Sequence, residues 1–337
     1  MIKTLIVDDS PFVRSIIRDF LESDGSFHIV GEAGDGQDAV DKARQLNPDL
    51  ITMDIEMPVM NGLQAIDEIK KIMTTAIVVI TSNDSAKLAY DATVRGALEF
   101  YVKDIFTTRK GEQQRREILK TLKRITGIKK RVPVRREYSS TEAIVSRQIK
   151  AVVIASSTGG PKALNCLVAA LPKDFPVPII LVQHNSSGFD CGFAQWLDGC
   201  TPLCVCLAEE GVTPTKGNLY VAPTDRHLVL DKMGFSFDDG EPIFNQKPAA
   251  DVLFKSAAEL YGESLVSVVL TGMGCDGAEG TRCVKQAGGI TIAQDEASSM
   301  IYGMPRSAFE TGCVDVVLPL DVIAGQLVSL AKGGGRT

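Results

Sequence analysis

Strand-length apolar runs alternate with helix-spaced segments twice along this chain, once on each side of a strongly basic stretch. In the first part the runs are Ile2–Val7, Phe27–Gly31, Leu50–Met53, Ala76–Ile80 and Leu98–Val102. Helical spacing fills Pro11–Glu22, Gly36–Gln45, Gly62–Ile72 and Ser85–Arg95 between them. Pro11 suits a first helical turn, where its missing N–H leaves nothing unsatisfied. Five strands alternating with helices imply a doubly wound parallel sheet of the α/β class, with its functional groups at the carboxyl ends of the strands. A second α/β unit opens at Ile149. Its expected strands are Lys150–Ala155, Pro178–Val182, Asn218–Val221, Leu265–Leu270, Ile290–Ala293 and Val314–Leu318. Its expected helices are Pro161–Ala170, Phe189–Cys200, Ala249–Tyr261, Gly277–Ala287 and Asp321–Ala331, with an inserted hairpin at His227–Leu230 and Gly234–Phe237. The expected division is a first domain at 1–125, a basic linker at 126–148 and a second domain at 149–334.

Charge separates these parts. The 337 residues carry 36 Lys and Arg against 42 Asp and Glu, a net of −6, which argues against a protein held on nucleic acid by bulk charge. Ile105–Lys150 holds 14 Lys and Arg against 4 Asp and Glu, whereas the remainder holds 22 against 38. The segment Thr126–Ser146, with few large apolar residues, reads as an exposed linker, either a solvated tether or a docking segment for a partner. No apolar run approaches the ~18 residues of a membrane span, so no membrane insertion is expected. MIKTLIVDD shows no export pattern, and the expected location is the cytoplasm. All eight cysteines follow position 165, and Cys200, Cys204 and Cys206 form the one cluster. Cys191 does not complete a zinc spacing with them, which favours reduced, half-buried thiols.

Asp8 and Asp9 end the first strand and Asp54 ends the third, its neighbour in a doubly wound sheet. Three converging carboxylates repel unless a hard cation with oxygen ligands joins them, and Mg²⁺ fits that donor set. Thr81 and Lys103 end the fourth and fifth strands. A hydroxyl, an ammonium and a metal around one carboxylate can stabilise an added phosphoryl group. In this pattern, DD…MDIEMPVMNG…ITS…EFYVKD, the segment resembles a two-component receiver domain of the flavodoxin-like class. The resemblance implies Asp54 as phosphoacceptor and Mg²⁺ held by Asp8, Asp9, Asp54 and the backbone carbonyl of Glu56. It implies Thr81 and Lys103 on the phosphoryl group and Phe100 as the aromatic switch residue. Asp104 stands where receivers often carry proline after the lysine, which removes the usual turn and adds a negative charge.

In the second unit, Ala155-Ser156-Ser157-Thr158-Gly159-Gly160 links a strand to a helix. A serine on such a turn is exposed at the sheet edge, and backbone N–H groups behind it can hold an oxyanion; phosphate binding is the rival use. The chain has only three histidines, His28, His184 and His227. A base for the serine should sit at a neighbouring strand's carboxyl end, and His184 fits best. Asp276, after a third apolar strand, can hold the imidazole in its useful tautomer or cap a helix.

Together SSTGG, VQHNSSGF, GNLYVAPTDRHLVL and LTGMGCDGAEG, behind a receiver and a linker, resemble the chemotaxis protein-glutamate methylesterases. That resemblance implies a phosphorylation-controlled serine hydrolase with Ser157, His184 and Asp276 as catalytic residues, and Thr158 and Met273 lining the substrate and oxyanion region. The implied partners are methyl-accepting chemotaxis receptors and a chemotaxis histidine kinase as phosphodonor, with no cofactor for the hydrolase beyond the receiver's Mg²⁺. Ala155 adds a methyl where the family favours glycine. Asn185-Ser186-Ser187 replaces prolines common after the histidine, which predicts a looser loop, and Cys275 adjoins Asp276. The rival readings are a regulator whose second domain only binds a partner, and a DNA-binding regulator. The complete Ser, His and Asp set opposes the first, and the acidic remainder opposes the second.

Overall fold

A computed structural model describes residues 1–82, 86–107, 112–127 and 148–333. The chain forms two compact units, Met1–Lys130 and Arg131–Thr337. The basic residues Lys129, Lys130, Arg131, Arg135 and Arg136 of the expected linker lie outside the described residues.

The first unit holds β1 (Ile2–Val7), β2 (Phe27–Ala33), β3 (Leu50–Met53), β4 (Ala76–Thr81) and β5 (Glu99–Val102), all parallel in the order β2-β1-β3-β4-β5. β3 and β4 are buried throughout, as strands covered on both faces are. The helices are α1 (Pro11–Glu22), α2 (Gly36–Leu46), α3 (Gly62–Ile72), α4 (Ala86–Arg95), α5 (Asp104–Thr107) and α6 (Glu112–Thr126). Local chemistry sets several starts. Asp35 accepts from Asp38 N–H at 2.9 Å to open α2. Asn61 and Gln64 form a reciprocal capping box on α3. Along α6, Ile118, Leu122 and Ile125 recur at helical spacing and are buried. Asp104 opens α5 instead of a proline turn.

In the second unit β6 (Ala151–Ser156), β7 (Ile179–Gln183), β8 (Cys204–Leu207), β9 (Asn218–Val221), β12 (Leu265–Val269), β13 (Ile290–Gln294) and β14 (Val316–Leu318) form a parallel sheet. Its order is β14-β13-β12-β6-β7-β9-β8. β10 (His227–Asp231) and β11 (Gly234–Asp238) pair separately as an antiparallel hairpin. The helices are α7 (Gly160–Ala169), α8 (Asp190–Asp198), α9 (Ala250–Tyr261), α10 (Ala278–Gln286), α11 (Met304–Glu310) and α12 (Leu320–Ala331). The core includes Val153, Ile180, Leu228, Leu253, Phe254 and Val269, all fully buried. β8 was not expected from its sequence. It is a four-residue edge strand whose thiols interrupt the apolar pattern, with Cys204 exposed and Cys206 half-buried. Among the described residues the one group of three or more carboxylate, thiol or imidazole side chains close enough to share a metal is Asp8, Asp9 and Asp54.

Both sheets reverse direction at a central strand pair, β1 and β3 in one, β6 and β12 in the other, and such switch points open crevices at the carboxyl ends. In the first unit Val7 pairs with Met53, so Asp8 and Asp54 leave the sheet side by side. In the second Ser156 pairs with Gln183, so Ser157 and His184 do the same. Close packing beneath the first crevice leaves no room at Gly62, where a Cβ would lie 2.0 Å from the Asp54 carbonyl oxygen. Gly62→Ala is expected to destabilise the first unit by about 2–3 kcal/mol. Calorimetry of the full chain should show its transition lowered and that of the second unit unmoved.

Candidate active site

The first crevice is acidic and charge-paired. Asp8 and Asp54 are buried, and Asp9 is exposed beside them. Lys103 Nζ lies 2.7 Å from Asp54 Oδ2 and 2.8 Å from Asp8 Oδ2, and Ile55 N–H donates to Asp54 Oδ1 at 2.8 Å. Burial and the neighbouring Asp8 push the Asp54 carboxyl up against the opposing pull of Lys103. Burial works against the Lys103 ammonium, but the two carboxylates outweigh it and raise its pKa. Thr81 is fully buried at the end of β4, and its hydroxyl has no hydrogen-bond partner. Lys103 N–H donates to the Thr81 carbonyl at 2.9 Å, which links the two strand ends. Phe100 is buried edge-on to Tyr90, with ring centres 5.0 Å apart. Glu56 is exposed and lines a cleft of about 310 Å³ with Asp9, Met57, Asn61 and Leu88.

In the second crevice three strand ends converge. His184 N–H continues the sheet ladder to the Ser156 carbonyl at 3.0 Å, and Ser157 N–H reaches the Thr271 carbonyl at 3.1 Å. Gly272 makes room for the serine, since a Cβ there would sit 2.8 Å from Ser157 Cβ. His184 Nε2 is 2.7 Å from Asp276 Oδ2, with both side chains buried. His184 Nδ1 is buried without a hydrogen-bond partner. The Ser157 and Gly160 N–H groups are both committed to backbone carbonyls, so neither is open to an oxyanion. Thr158 is buried in the turn before α7, and Met273 is half-buried in the turn after β12. His28 lies on β2 in the other unit.

Asp276 does both things its sequence position suggested, but the helix it caps is not its own. The N-cap of α9 is Ala249, which has no capping side chain. Asp276 supplies the cap from across the crevice, accepting from Ala250 N–H at 2.7 Å and Asp251 N–H at 2.9 Å. Asp251 returns the contact by accepting from Gly280 N–H, in the first turn of α10, at 2.7 Å. Burial alone would raise the Asp276 carboxyl, but His184 and the two α9 N–H groups hold it below the usual carboxylate range. Asp251 lacks such a cation. Burial, with Asp276 nearby, pushes its carboxyl up to about 6. His227 is buried behind this pair. Its Nδ1 accepts from Ala249 N–H at 3.1 Å, so its Nε2 carries the proton toward the Glu241 carbonyl.

The loop after His184 makes hydrogen bonds to the turn around Asp225. Ser187 Oγ donates to Asp225 Oδ2, Gly188 N–H donates to Thr224 Oγ1 at 3.3 Å, and Phe189 is buried.

The CheB methylesterase family profile matches residues 152–327, just over half of the chain. The chain belongs to the CheB methylesterase family. A response regulator receiver domain profile matches residues 4–111. Similar curated proteins include a protein-glutamate methylesterase/protein-glutamine glutaminase of Clostridium acetobutylicum, 38% identical over 98% of each chain. One of the same name from Thermotoga maritima is 39% identical, again over 98% of each. The crystal structure of the Thermotoga maritima CheB methylesterase catalytic domain matches with 42% identity and a TM-score of 0.53, over 55% of this chain and all of that one. Among the described residues no helix of this CheB-family chain is long and apolar enough to cross a membrane.

Asp251, Gln183 and Gln294 are the site residues that sequence reading passed over. A caps-in-trans carboxylate has no local signature, because its acceptor role is set by a helix elsewhere in the chain. The raised Asp251 carboxyl has a consequence for stability. The folded state binds a proton that the unfolded state has released between about pH 4 and 6, so stability contributed at this site falls as pH rises through that window. Asp251→Asn keeps the acceptor for Gly280 and removes the buried charge. It is expected to stabilise the second unit by about 1 kcal/mol at pH 7. That gain should shrink as pH falls through this window and vanish below about pH 3.8, as read from denaturation midpoints at pH 7 and below pH 3.8.

Proposed function

We propose that this chain hydrolyses glutamate methyl esters, and deamidates glutamines, on methyl-accepting chemotaxis receptors, under control of phosphorylation at Asp54. The family and the names of the relatives support the substrate class. The carrying observation is the His184 side chain, buried and gripped at Nε2 by Asp276 with Nδ1 unpaired, on a strand end adjacent to that of Ser157.

Ser157 Oγ attacks the ester carbonyl while His184 Nδ1 takes the serine proton. The imidazolium formed is stabilised by the Asp276 carboxylate, whose own charge is secured by the α9 N–H groups. The proton then passes to the leaving oxygen, and methanol departs. Water, deprotonated by His184, cleaves the acyl-enzyme to glutamate and free Ser157. The same sequence on glutamine releases ammonia. We place the oxyanion between Thr158 and Met273, at the positive N-terminus of α7.

In the receiver unit, Asp8, Asp9, Asp54 and the Glu56 carbonyl form a hard oxygen donor set that suits Mg²⁺, and three of these carboxylates meet within 4.8 Å. When bound, Mg²⁺ neutralises the charge that accumulates on a transferring phosphoryl group. Lys103 holds Asp54 in place for the incoming phosphoryl group, and the unpaired Thr81 hydroxyl supplies a donor for it. Phe100, packed on Tyr90, is the residue we assign to reporting that event. The phosphodonor is a chemotaxis histidine kinase, and the basic linker steers the chain onto acidic receptor segments.

Two outcomes test this reading. A folded Ser157→Ala protein should lose methanol release from methylated receptor by at least about 10⁴-fold; near-normal turnover would refute the assignment. Full-length protein given a small phosphodonor and Mg²⁺ should change its rate of methanol release, and Asp54→Ala should abolish that response without changing the rate measured in its absence.

A further inference from the structure

Two buried glutamines close the strands that flank the central pair of the second sheet. Gln183 is the last residue of β7 and Gln294 the last of β13. They are 3% and 0% exposed. A buried amide has to satisfy two N–H donors and one carbonyl, and this requirement ties it to specific neighbours. Gln183 meets it on the serine turn. Its Nε2 donates to the carbonyls of Ser157 at 3.2 Å and His184 at 2.9 Å, while Oε1 accepts from Ser156 Oγ at 2.7 Å. One side chain therefore spans the two residues that leave β6 and β7 side by side. The fit leaves no space behind it, since a Cβ on Gly160 would lie 2.0 Å from Gln183 Oε1.

Gln294 acts on the opposite flank. Its Oε1 accepts from Thr271 N–H at 2.7 Å, and Nε2 donates to the Ser298 carbonyl at 2.8 Å. Thr271 passes that constraint to the turn. Its carbonyl takes Ser157 N–H at 3.1 Å, and its hydroxyl donates to the Thr158 carbonyl at 3.1 Å.

We propose that Gln183 and Gln294 are positioning residues that grip the Ser157 turn from its two flanks and fix the spacing of Ser157 to His184. The inference rests on Ser157 being the nucleophile and His184 its base. Both amides act through other residues. Their loss is therefore expected to fall on the chemical step more than on substrate binding. Misplacement of a reacting group by about 1 Å can cost about 10² in rate, and kcat should carry that loss while KM stays unchanged.

The test uses the full chain and two readouts, methanol release from methylated receptor and the rate at which a fluorophosphonate labels Ser157. The second needs no receptor, so it reports the nucleophile whatever the natural substrate is. Gln183→Met should lower both kcat and the labelling rate at least tenfold, with KM within twofold of wild type. Gln183→Glu, of equal length, keeps an acceptor for Ser156 but offers no amide donors, and it should behave as Gln183→Met does. It carries the test if the methionine variant does not fold. Ser156→Ala leaves both amide donors in place and should lose less than threefold. Wild-type labelling and kcat in a folded Gln183→Met or Gln183→Glu protein would overturn the positioning role while leaving Ser157 as nucleophile. Failure of the wild-type protein to be labelled at Ser157 would instead remove the nucleophile, and the inference with it.

Discussion

The carboxylate of Asp276 is the interaction on which the second unit's crevice depends. Burying a charge costs several kcal/mol unless hydrogen bonds and an opposing charge offset it. Asp276 is 2% exposed and collects His184 Nε2, two N–H groups from the start of α9 and the N–H of Gly277. A hydrogen bond to a charged group contributes about 1.5–3 kcal/mol, so these four contacts are the right order to hold a carboxylate in that place. The same atoms that secure the packing of α9 therefore orient His184. Asp251 completes the arrangement from α9 to α10, and His227 holds the residue just before α9. Helix packing and imidazole orientation are one structural problem here, with one solution.

The two units, unlike in their chemistry, solve placement alike. In each, two adjacent parallel strands end on a paired position, and the next residue on each strand is a candidate site residue: Asp8 with Asp54, Ser157 with His184. The ladder extends one bond further in both cases, through Asp54 N–H to Val7 at 2.9 Å and His184 N–H to Ser156 at 3.0 Å. Rigid sheet backbone thus sets the separation of the reactive groups, which a loop could not do as closely. The difference lies in what each crevice holds. The receiver gathers carboxylates around one lysine, a setting for phosphoryl transfer. The CheB-family unit brings the strand ends that carry Ser157 and His184 together beside the His184–Asp276 pair.

Much of this was legible in the chain. β1, β3, α1 and α3 match their apolar patterns residue for residue, and Pro11 in the first turn of α1 and Asn61 at the N-cap of α3 mark the helix starts chemically. Ser157, His184 and Asp276 stood out as candidates because each lies in the turn beyond a strand-length apolar run. β8 escaped because four residues with two thiols carry too little pattern to announce a strand. Gln183 and Gln294 escaped for a different reason. A polar residue at the end of an apolar run reads as solvent-facing, and only the converging loops reveal that these amides are buried. The sequence position of Asp276 suits either a cap or an imidazole partner. It serves both geometries because the cap belongs to α9, 26 positions away in sequence at Ala250.

The account turns on which nitrogen of His184 is free to accept a proton. Asp276 faces Nε2, so the neutral ring carries its hydrogen there and leaves the buried, unpartnered Nδ1 as the acceptor. Nitrogen-15 NMR of histidine-labelled protein distinguishes the two tautomers directly, and with only three histidines the His184 signal can be assigned by its loss in His184→Gln. The structure predicts a protonated Nε2 and an unprotonated Nδ1 for neutral His184, with that preference lost in Asp276→Ala. A His184 that carries its proton on Nδ1, indifferent to Asp276, would contradict the account.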